Sequence, residues 1–187
     1  MTNQSIKNPE CYRPCVGMVI INDEHKIFIA RRKDLDADAL YAWQMPQGGI
    51  DDGETPQQAV MREMIEEIGT DAVAFMSESH GWIYYDFPDW LKNKAKGDYY
   101  IGQRQKWFLF KFVGNETDIN LKTKHREFSQ WQWAEKEEVM RQIVPFKLRA
   151  YEKVFQEFSQ LLSSVEREPQ NQSLLYPEFD VRNDVKT

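Results

Sequence analysis

The sequence has little cysteine and no long apolar run, and each of these absences excludes a class of protein. Its 187 residues include two cysteines, Cys11 and Cys15, which are too few for a disulfide framework or a four-ligand zinc site. No stretch of about 18 apolar residues is present, which excludes a transmembrane helix. The polar segment 1–10 lacks the apolar stretch of a signal peptide. We therefore expect a reduced, cytoplasmic protein with no membrane partner.

Positive charge is also in deficit. The chain has 24 Lys and Arg against 30 Asp and Glu, a formal charge of −6. Such a balance normally argues against nucleic acid or polyphosphate as a partner. The chain is not short of core-forming residues, since 41% are hydrophobic and 13% aromatic. These proportions exclude a wholly disordered protein and fit a domain with a packed core.

Strand and helix patterns alternate along the chain. Apolar runs at 15–21 and 26–30 flank a turn and predict a β-hairpin. Aromatic-rich segments at 103–113 and 131–133 predict two further strands. This alternation favours a layered α/β domain. We expect a flexible N-terminus at 1–10, one domain at 11–165 and a polar tail at 166–187.

Two helices are predicted from periodicity and capping. The first opens at Thr55, with Pro56 at the first helical position and Gln58 completing a capping box. It ends before Gly69, a residue suited to a left-handed cap. The second covers about residues 147–164, where apolar residues recur on one face.

Three glutamates of the first helix, Glu63, Glu66 and Glu67, are spaced so that their carboxylates project from one side. A solvated acidic face is one interpretation. A metal site is the other, because the opposite face is apolar, Arg62 supplies a counter-charge and a glycine-rich loop precedes the helix. Clustered carboxylates suit Mg²⁺ or Mn²⁺ and not zinc. The pattern is thus compatible with metal-assisted phosphate chemistry.

A spaced motif contains these glutamates: Gly48, five residues, Glu54, seven residues, then Arg62 to Gly69 (REMIEEIG). It resembles the Nudix box at every polar and glycine position. Thr70 departs from it, since the family usually has an aliphatic residue there.

The resemblance covers about residues 12–163. Over this range the chain is similar to the branch of bacterial RNA pyrophosphohydrolases and diadenosine polyphosphate hydrolases. The further segments that carry it are Tyr12–Pro14, Val16–Gly17, Arg31–Arg32, Trp43–Gly49, Gly102–Phe108, Glu127–Phe128 and Pro145–Lys147. It implies a Nudix-type α/β/α sandwich with a mixed β-sheet, and hydrolysis by attack of water on phosphorus. The implied substrates are 5′-triphosphorylated RNA, as in RNA 5′-end processing, dinucleoside polyphosphates, or both, and not DNA.

The resemblance also assigns roles to residues. Metal ligation is implied for Glu63, Glu66, Glu67 and the Gly48 carbonyl. Glu127 is implied as a further ligand or as the general base, and sequence leaves that choice open. Arg62 and Glu54 would brace the helix and its loop, while Gly49 and Gly69 complete the motif.

Substrate contacts are implied as well. Four cations would contact the polyphosphate: Arg13, Arg32, Lys106 and Lys147. Gln103, Val144 and Phe146 would line the nucleotide pocket, although each could equally be structural. Tyr85 could stack on a base or belong to a half-buried strand.

Two sequence features favour the dinucleotide-cleaving members: Ala42, where RNA pyrophosphohydrolases tend to have Ser, and a longer acidic loop at 33–41. A non-catalytic Nudix module that binds nucleotide or RNA is the alternative, and such modules usually lose box carboxylates that are all present here. Sugar nucleotides or oxidised triphosphates fit the segments outside the box poorly. We expect both cysteines and all three histidines to be structural.

Overall fold

The computed structural model describes residues 8–36, 39–92 and 100–164. Most of the predicted N-terminal segment and the whole 166–187 tail lie outside the described residues. The strands are β1 (Tyr12–Ile21), β2 (Ile27–Arg32), β3 (Trp43–Gln44), β4 (Gln47–Gly49), β5 (Val73–Glu78), β6 (Ile83–Asp86), β7 (Gly102–Phe112) and β8 (Phe128–Ala134). The helices are α1 (Pro56–Ile68), α2 (Asp89–Lys92), α3 (Lys136–Gln142), α4 (Leu148–Glu157) and α5 (Ser159–Ser164). Short 3₁₀ turns lie at Pro9–Cys11, Glu116–Asp118 and Pro145–Lys147.

The strands form one mixed sheet organised around β1. Its main path runs β3-β2-β1-β7-β5, while β4 pairs with β1, β6 with β7 and β8 with β2. β1 and β7 are parallel from Tyr12↔Gly102 to Ile21↔Lys111. β1 and β2 pair antiparallel at Ile21↔Ile27, which confirms the predicted hairpin.

Alternation along β1 separates two cores. Met18 and Ile20 pack with Val60, Met64 and other residues of α1 on one side of the sheet. Val19 and Ile21 pack with the apolar face of α4 on the other side. Successive side chains of a strand point to opposite faces, so a single apolar strand serves both layers. The expected α/β/α sandwich with a mixed sheet is confirmed.

Capping residues set the limits of α1 as the sequence predicted. Thr55 accepts from the Gln58 backbone N–H, and the Gln58 side chain accepts from the Thr55 N–H. Gly69 ends the helix at φ 74°, a conformation that is unfavourable for most other residues. The second predicted helix differs from the structure. It begins as a 3₁₀ turn at Pro145–Lys147 and is interrupted at Phe158, between α4 and α5.

None of the helices within residues 8–36, 39–92 and 100–164 has the length and apolar content needed to cross a membrane.

Candidate active site

Two adjacent glycines bring opposite charges close to the backbone of β4. Gly48 and Gly49 pair with Val16 and Cys15 of β1. A Cβ atom on Gly48 would collide with the carboxyl group of Glu63. One on Gly49 would lie 2.6 Å from Nη2 of Arg13. The absence of side chains here therefore lets an acid from α1 and a base from β1 approach the same short strand.

Arg62 connects the helix to the glycine-rich loop before it. Its Nε and Nη2 donate to the two carboxylate oxygens of Glu54, at 2.9 and 2.8 Å. Nη2 also donates to the Gly49 carbonyl at 2.8 Å, and Nη1 donates to Glu63 at 2.9 Å and Glu66 at 3.1 Å. The hydrogen bonds from Arg62 lower the pKa of Glu54. One guanidinium thus offsets repulsion among several acids.

Glu67 is the buried acid of this cluster, with 2% of its surface exposed. Oε2 accepts from the Gln47 backbone N–H at 3.2 Å, whereas Oε1 is buried without a hydrogen-bond partner. Burial raises the pKa of Glu67 well above its usual value, and the nearby charges of Glu127 and Glu63 raise it further. Burial is also the largest influence on Glu63, whose pKa is raised in spite of Arg62.

These features fit a cation, although the ligands are not already assembled around one. Among the described residues, no three His, Cys, Asp or Glu side chains are grouped closely enough to hold a metal ion as they stand. The buried oxygen of Glu67 nevertheless lacks the hydrogen-bond donor or cation that such an oxygen normally has beside it. Carboxylate and carbonyl oxygens are the donors that Mg²⁺ and Mn²⁺ prefer. The chemistry of the donor set therefore suits a divalent ion.

A polar cavity of about 290 Å³ lies beside this cluster. Its walls bring together residues from β1, β2, β3, β4, α1, β7 and the segments before α4 and β8. They are Arg13, Cys15, Arg32, Gln44, Gln47, Gly48, Gly49, Glu63, Gln103, Glu127 and Lys147. Besides Gly49 of the motif, seven of these are site residues predicted from the sequence: Arg13, Arg32, Gly48, Glu63, Gln103, Glu127 and Lys147.

Three of the four predicted phosphate-binding cations line the cavity. Within the described chain, neither Arg13 nor Lys147 forms an ion pair. Lys147 is buried, and burial lowers its pKa to about 8. Its Nζ lies 3.5 Å from Gln44 Oε1 and 5.6 Å from the centre of the Tyr85 ring. Arg32 differs, because its guanidinium is paired with Asp34.

Lys106, the fourth predicted cation, is not part of the described cavity wall. Its Nζ lies 3.1 Å from Glu78 and donates to the Ser79 carbonyl. Gln103 and Lys106 are an odd number of positions apart on β7, so they point to opposite faces of the sheet. Lys106 is thus placed against β5, away from Arg13 and Lys147.

Three of the residues predicted to form the nucleotide pocket, Tyr85, Val144 and Phe146, pack together beside the cavity. Tyr85 is only 5% exposed, and its ring contacts Phe87 and Phe146 at centroid distances of 5.9 Å. Its hydroxyl donates to Gln103 Oε1 at 2.7 Å. Val144 and Phe146 pack against the same core and do not contribute to the described cavity wall. Tyr85 is therefore packed among aromatic side chains and is joined to the cavity wall through Gln103.

Gln47 and Gln105 form a chain of hydrogen bonds with the predicted Gln103, and the sequence interpretation missed these two residues. Gln105 Nε2 donates to Gln47 Oε1 at 2.6 Å and to Gln103 Oε1 at 3.1 Å. Gln47 also contacts the Tyr151 hydroxyl, 3.5 Å away. The available signal was Gln105 itself, a polar residue within an apolar strand that is buried here.

Cys15 lines the cavity but is poorly suited to be a nucleophile. Burial raises the pKa of its thiol to about 11, so the thiolate form is scarce at neutral pH. Both cysteines are unpaired. These observations agree with the expected structural role of Cys15.

A small polar cavity lined by both cations and acids, on a mixed sheet between helical layers, is typical of an α/β enzyme with a charged substrate. The NUDIX domain matches residues 12–155. The chain belongs to the Nudix family, and it is a hydrolase acting on phosphorus anhydrides. Hydrolases of this family generally use divalent cations.

Curated relatives are similar over most of the chain. An RNA pyrophosphohydrolase of Rickettsia rickettsii (strain Sheila Smith) is 47% identical over 163 residues, covering 87% of this chain and 99% of that protein. An RNA pyrophosphohydrolase of Wolbachia pipientis subsp. Culex pipiens (strain wPip) is 43% identical over 152 residues, covering 81% and 91%.

Solved structures support the fold. The E. coli dihydroneopterin triphosphate pyrophosphohydrolase has a TM-score of 0.56 at 20% identity, covering 76% of this chain and 95% of that one. A C. elegans Ap4A hydrolase binary complex also has a TM-score of 0.56, at 21% identity, covering 81% and 98%.

Proposed function

We propose that this protein hydrolyses 5′-triphosphorylated RNA and releases pyrophosphate from the 5′ end. The observation that carries the proposal is the placement of Arg13 and Lys147 in one cavity with Glu63, with no ion pair of their own among the described residues. Cations held without a counter-ion favour an anionic ligand. The relatives that are 43–47% identical are named for this activity.

A divalent cation, Mg²⁺ or Mn²⁺, is the proposed cofactor. Glu63, Glu66, Glu67, Glu127 and the Gly48 carbonyl would hold it. When bound, it supplies neutralisation of phosphate charge and activation of a water. The unpartnered Oε1 of Glu67 supports this assignment.

The remaining residues bind and orient. Arg13 and Lys147 would receive the phosphate oxygens, and the Arg32 fork would join them after leaving Asp34. Arg62 keeps Glu54, Glu63 and the Gly49 carbonyl in fixed relation. Glu127 is exposed at the cavity wall, where it could serve as a ligand or accept the proton of the attacking water.

Dinucleoside polyphosphates are the second candidate substrate. Ala42 is buried and offers no hydroxyl to a base. The acidic loop at 33–41 also distinguishes this chain from typical RNA pyrophosphohydrolases. Both substrates present a polyphosphate beside a base, so the same cavity could accept either. We propose the cytoplasm as the compartment, because both cysteines are unpaired.

The test uses Glu67→Gln, which keeps the size of the side chain and an oxygen for the Gln47 N–H. Wild type and variant are assayed with Mg²⁺ on 5′-triphosphate RNA and on diadenosine tetraphosphate, and products are identified. We expect kcat to fall at least roughly 100-fold in the variant, consistent with loss of charge at a metal site. Glu152→Gln, at an exposed position of α4, is the matched control and should retain full activity.

Retention of full metal-dependent activity by Glu67→Gln would refute the metal role of this glutamate. Tight nucleotide binding by the wild type without turnover under Mg²⁺ or Mn²⁺ would instead identify a non-catalytic Nudix module.

A further inference from the structure

A basic segment lies directly before Glu127. Within five residues it contains Lys122, Lys124, His125 and Arg126, in a chain whose formal charge is −6. All four side chains are exposed. Net charge therefore conceals a local concentration of positive charge next to the active-site cavity.

Hydrogen bonds fix this segment and the residues just before it to α1, the helix that carries Glu63, Glu66 and Glu67. The Thr123 hydroxyl donates to the carbonyl of Glu66, and the Asn120 N–H donates to the carbonyl of Ile68 at 2.8 Å. Leu121 is buried in the core beneath α1. The segment uses carbonyl groups at the end of α1 that the helix itself leaves unbonded. Its position is thus set by the same helix that carries the proposed metal ligands.

A second cavity, of about 360 Å³, separates this segment from the end of β2. It is lined by Arg32, Lys33, Asp34, His125, Arg126 and Glu127. Arg32 and Glu127 line the first cavity too. The Lys33 N–H donates to the Glu127 carbonyl at 2.9 Å and holds the two walls together. The second cavity is therefore adjacent to the first along a shared wall.

The second cavity is lined by three cations, Arg32, Lys33 and Arg126, and by two acids, Asp34 and Glu127, so positive charge is in excess there. Arg32 is paired with Asp34. Lys33 and Arg126 form no ion pair with any described residue, and Arg126 Nε donates to the Phe128 carbonyl at 3.0 Å. That bond orients the guanidinium without neutralising its charge.

We propose that this second cavity binds the phosphodiester backbone of an RNA chain downstream of its 5′ end. The proposal rests on the proposed function, because the first cavity must hold the 5′ triphosphate. A dinucleoside polyphosphate has no phosphodiester, so it gains nothing from Lys33 and Arg126. Both substrates can place their polyphosphate in the first cavity, but only RNA also binds in the second. The second cavity thus favours RNA over dinucleoside polyphosphates.

The test compares substrates on one double variant, Lys33→Ala/Arg126→Ala. We expect kcat/KM to fall about ten-fold on a triphosphorylated oligoribonucleotide, mainly through KM, and to stay within about two-fold on diadenosine tetraphosphate. The dependence of log(1/KM) on log[salt] for the RNA should also become shallower, by roughly 0.7 for each phosphate that the variant no longer neutralises.

Two further variants serve as controls. Arg141→Ala/Lys153→Ala removes the same formal charge from exposed positions outside this cavity. This variant should have the wild-type kcat/KM on both substrates. Lys33→Arg/Arg126→Lys keeps the charge and should retain the preference for RNA.

An equal loss on both substrates, or no loss on RNA, would overturn the proposal. Binding separates this failure from failure of the proposed function. If a fluorescent triphosphorylated RNA binds the wild type and loses affinity in the double variant, but is never hydrolysed, the cavity assignment stands and the catalytic proposal falls.

Discussion

Arg32 is paired with Asp34, two residues later in the chain, at the edge of the cavity that it lines. Nε and Nη2 donate to the two oxygens of one carboxylate, the same fork that an arginine offers to a phosphate. The side chains are 45% and 54% exposed. Pairs this exposed contribute little, about 0.2–1 kcal/mol. Asp34 is therefore placed to be displaced by a substrate phosphate.

Asp34→Asn should consequently lower KM for a polyphosphate substrate by up to about five-fold with kcat unchanged, since about 1 kcal/mol is the upper end of such pair energies. Steady-state kinetics at low salt is the measurement, and the effect should shrink at high salt. Asp36→Asn removes a charge from the same loop and should have no comparable effect. An increase of KM in Asp34→Asn would mean that Asp34 holds Arg32 in its productive position.

Arg62→Lys should destabilise the fold by about 1–3 kcal/mol, because an ammonium cannot reproduce the fork to Glu54 while also reaching Gly49 and Glu63. The figure is reduced for the partial exposure of the guanidinium. Urea unfolding measures it, with Arg141→Lys as an exposed control expected to stay within about 0.5 kcal/mol. A stability equal to wild type would show that the Arg62 network is dispensable.

Alanine substitutions in the glycine pair should affect different kinetic constants. In Gly48→Ala the new methyl group would displace the Glu63 carboxylate, so kcat should fall by at least about ten-fold, as expected when a catalytic group is misplaced. In Gly49→Ala it meets the end of the flexible Arg13 side chain, so the main effect should be a higher KM. Circular dichroism verifies folding of both. Identical kinetic profiles for the two variants would contradict this division.

Lys147 should make substrate binding sensitive to alkaline pH. Burial lowers its pKa to about 8, so the ammonium is charged below that pH and loses its proton above it. KM for a polyphosphate should therefore rise as pH increases through that value. Lys147→Arg keeps its charge and should show a flatter profile. A parallel rise of KM in both proteins would assign the pH effect to another group.

The lowered pKa of Lys147 also affects stability. Rising pH weakens substrate binding, but it should increase the free energy of unfolding. Between about pH 8 and 10.5 the unfolded chain still binds the Lys147 proton while the folded chain does not. The contribution of this group to the free energy of unfolding must then increase with pH. The unfolding free energy of wild type minus that of Lys147→Arg should increase with pH across that window, as measured by urea unfolding at several pH values.

Local sequence determined the carboxylate helix, because its signals act within one or two turns. Thr55, Gln58 and Gly69 set its ends through hydrogen bonds and backbone conformation, independently of the rest of the chain. Spacing placed Glu63, Glu66 and Glu67 on one side, and resemblance to the Nudix box located Gly48 and Arg62 beside them. The mixed sheet between two helical layers was likewise predicted.

Tertiary structure decided which charges meet. Arg13, Lys147 and Glu127 come from distant segments, and only the pairing of β8 with β2 and the packing of α4 bring them to one cavity. Lys106 is directed to the other face of β7 because side chains alternate along a strand. Tyr85 is covered by aromatic neighbours that sequence could not place around it. The net charge of the sequence is only a total, whereas the folded chain places Arg13, Arg32 and Lys147 on the walls of one cavity. Electrostatic interactions depend on separation in space and on burial, which the total does not describe.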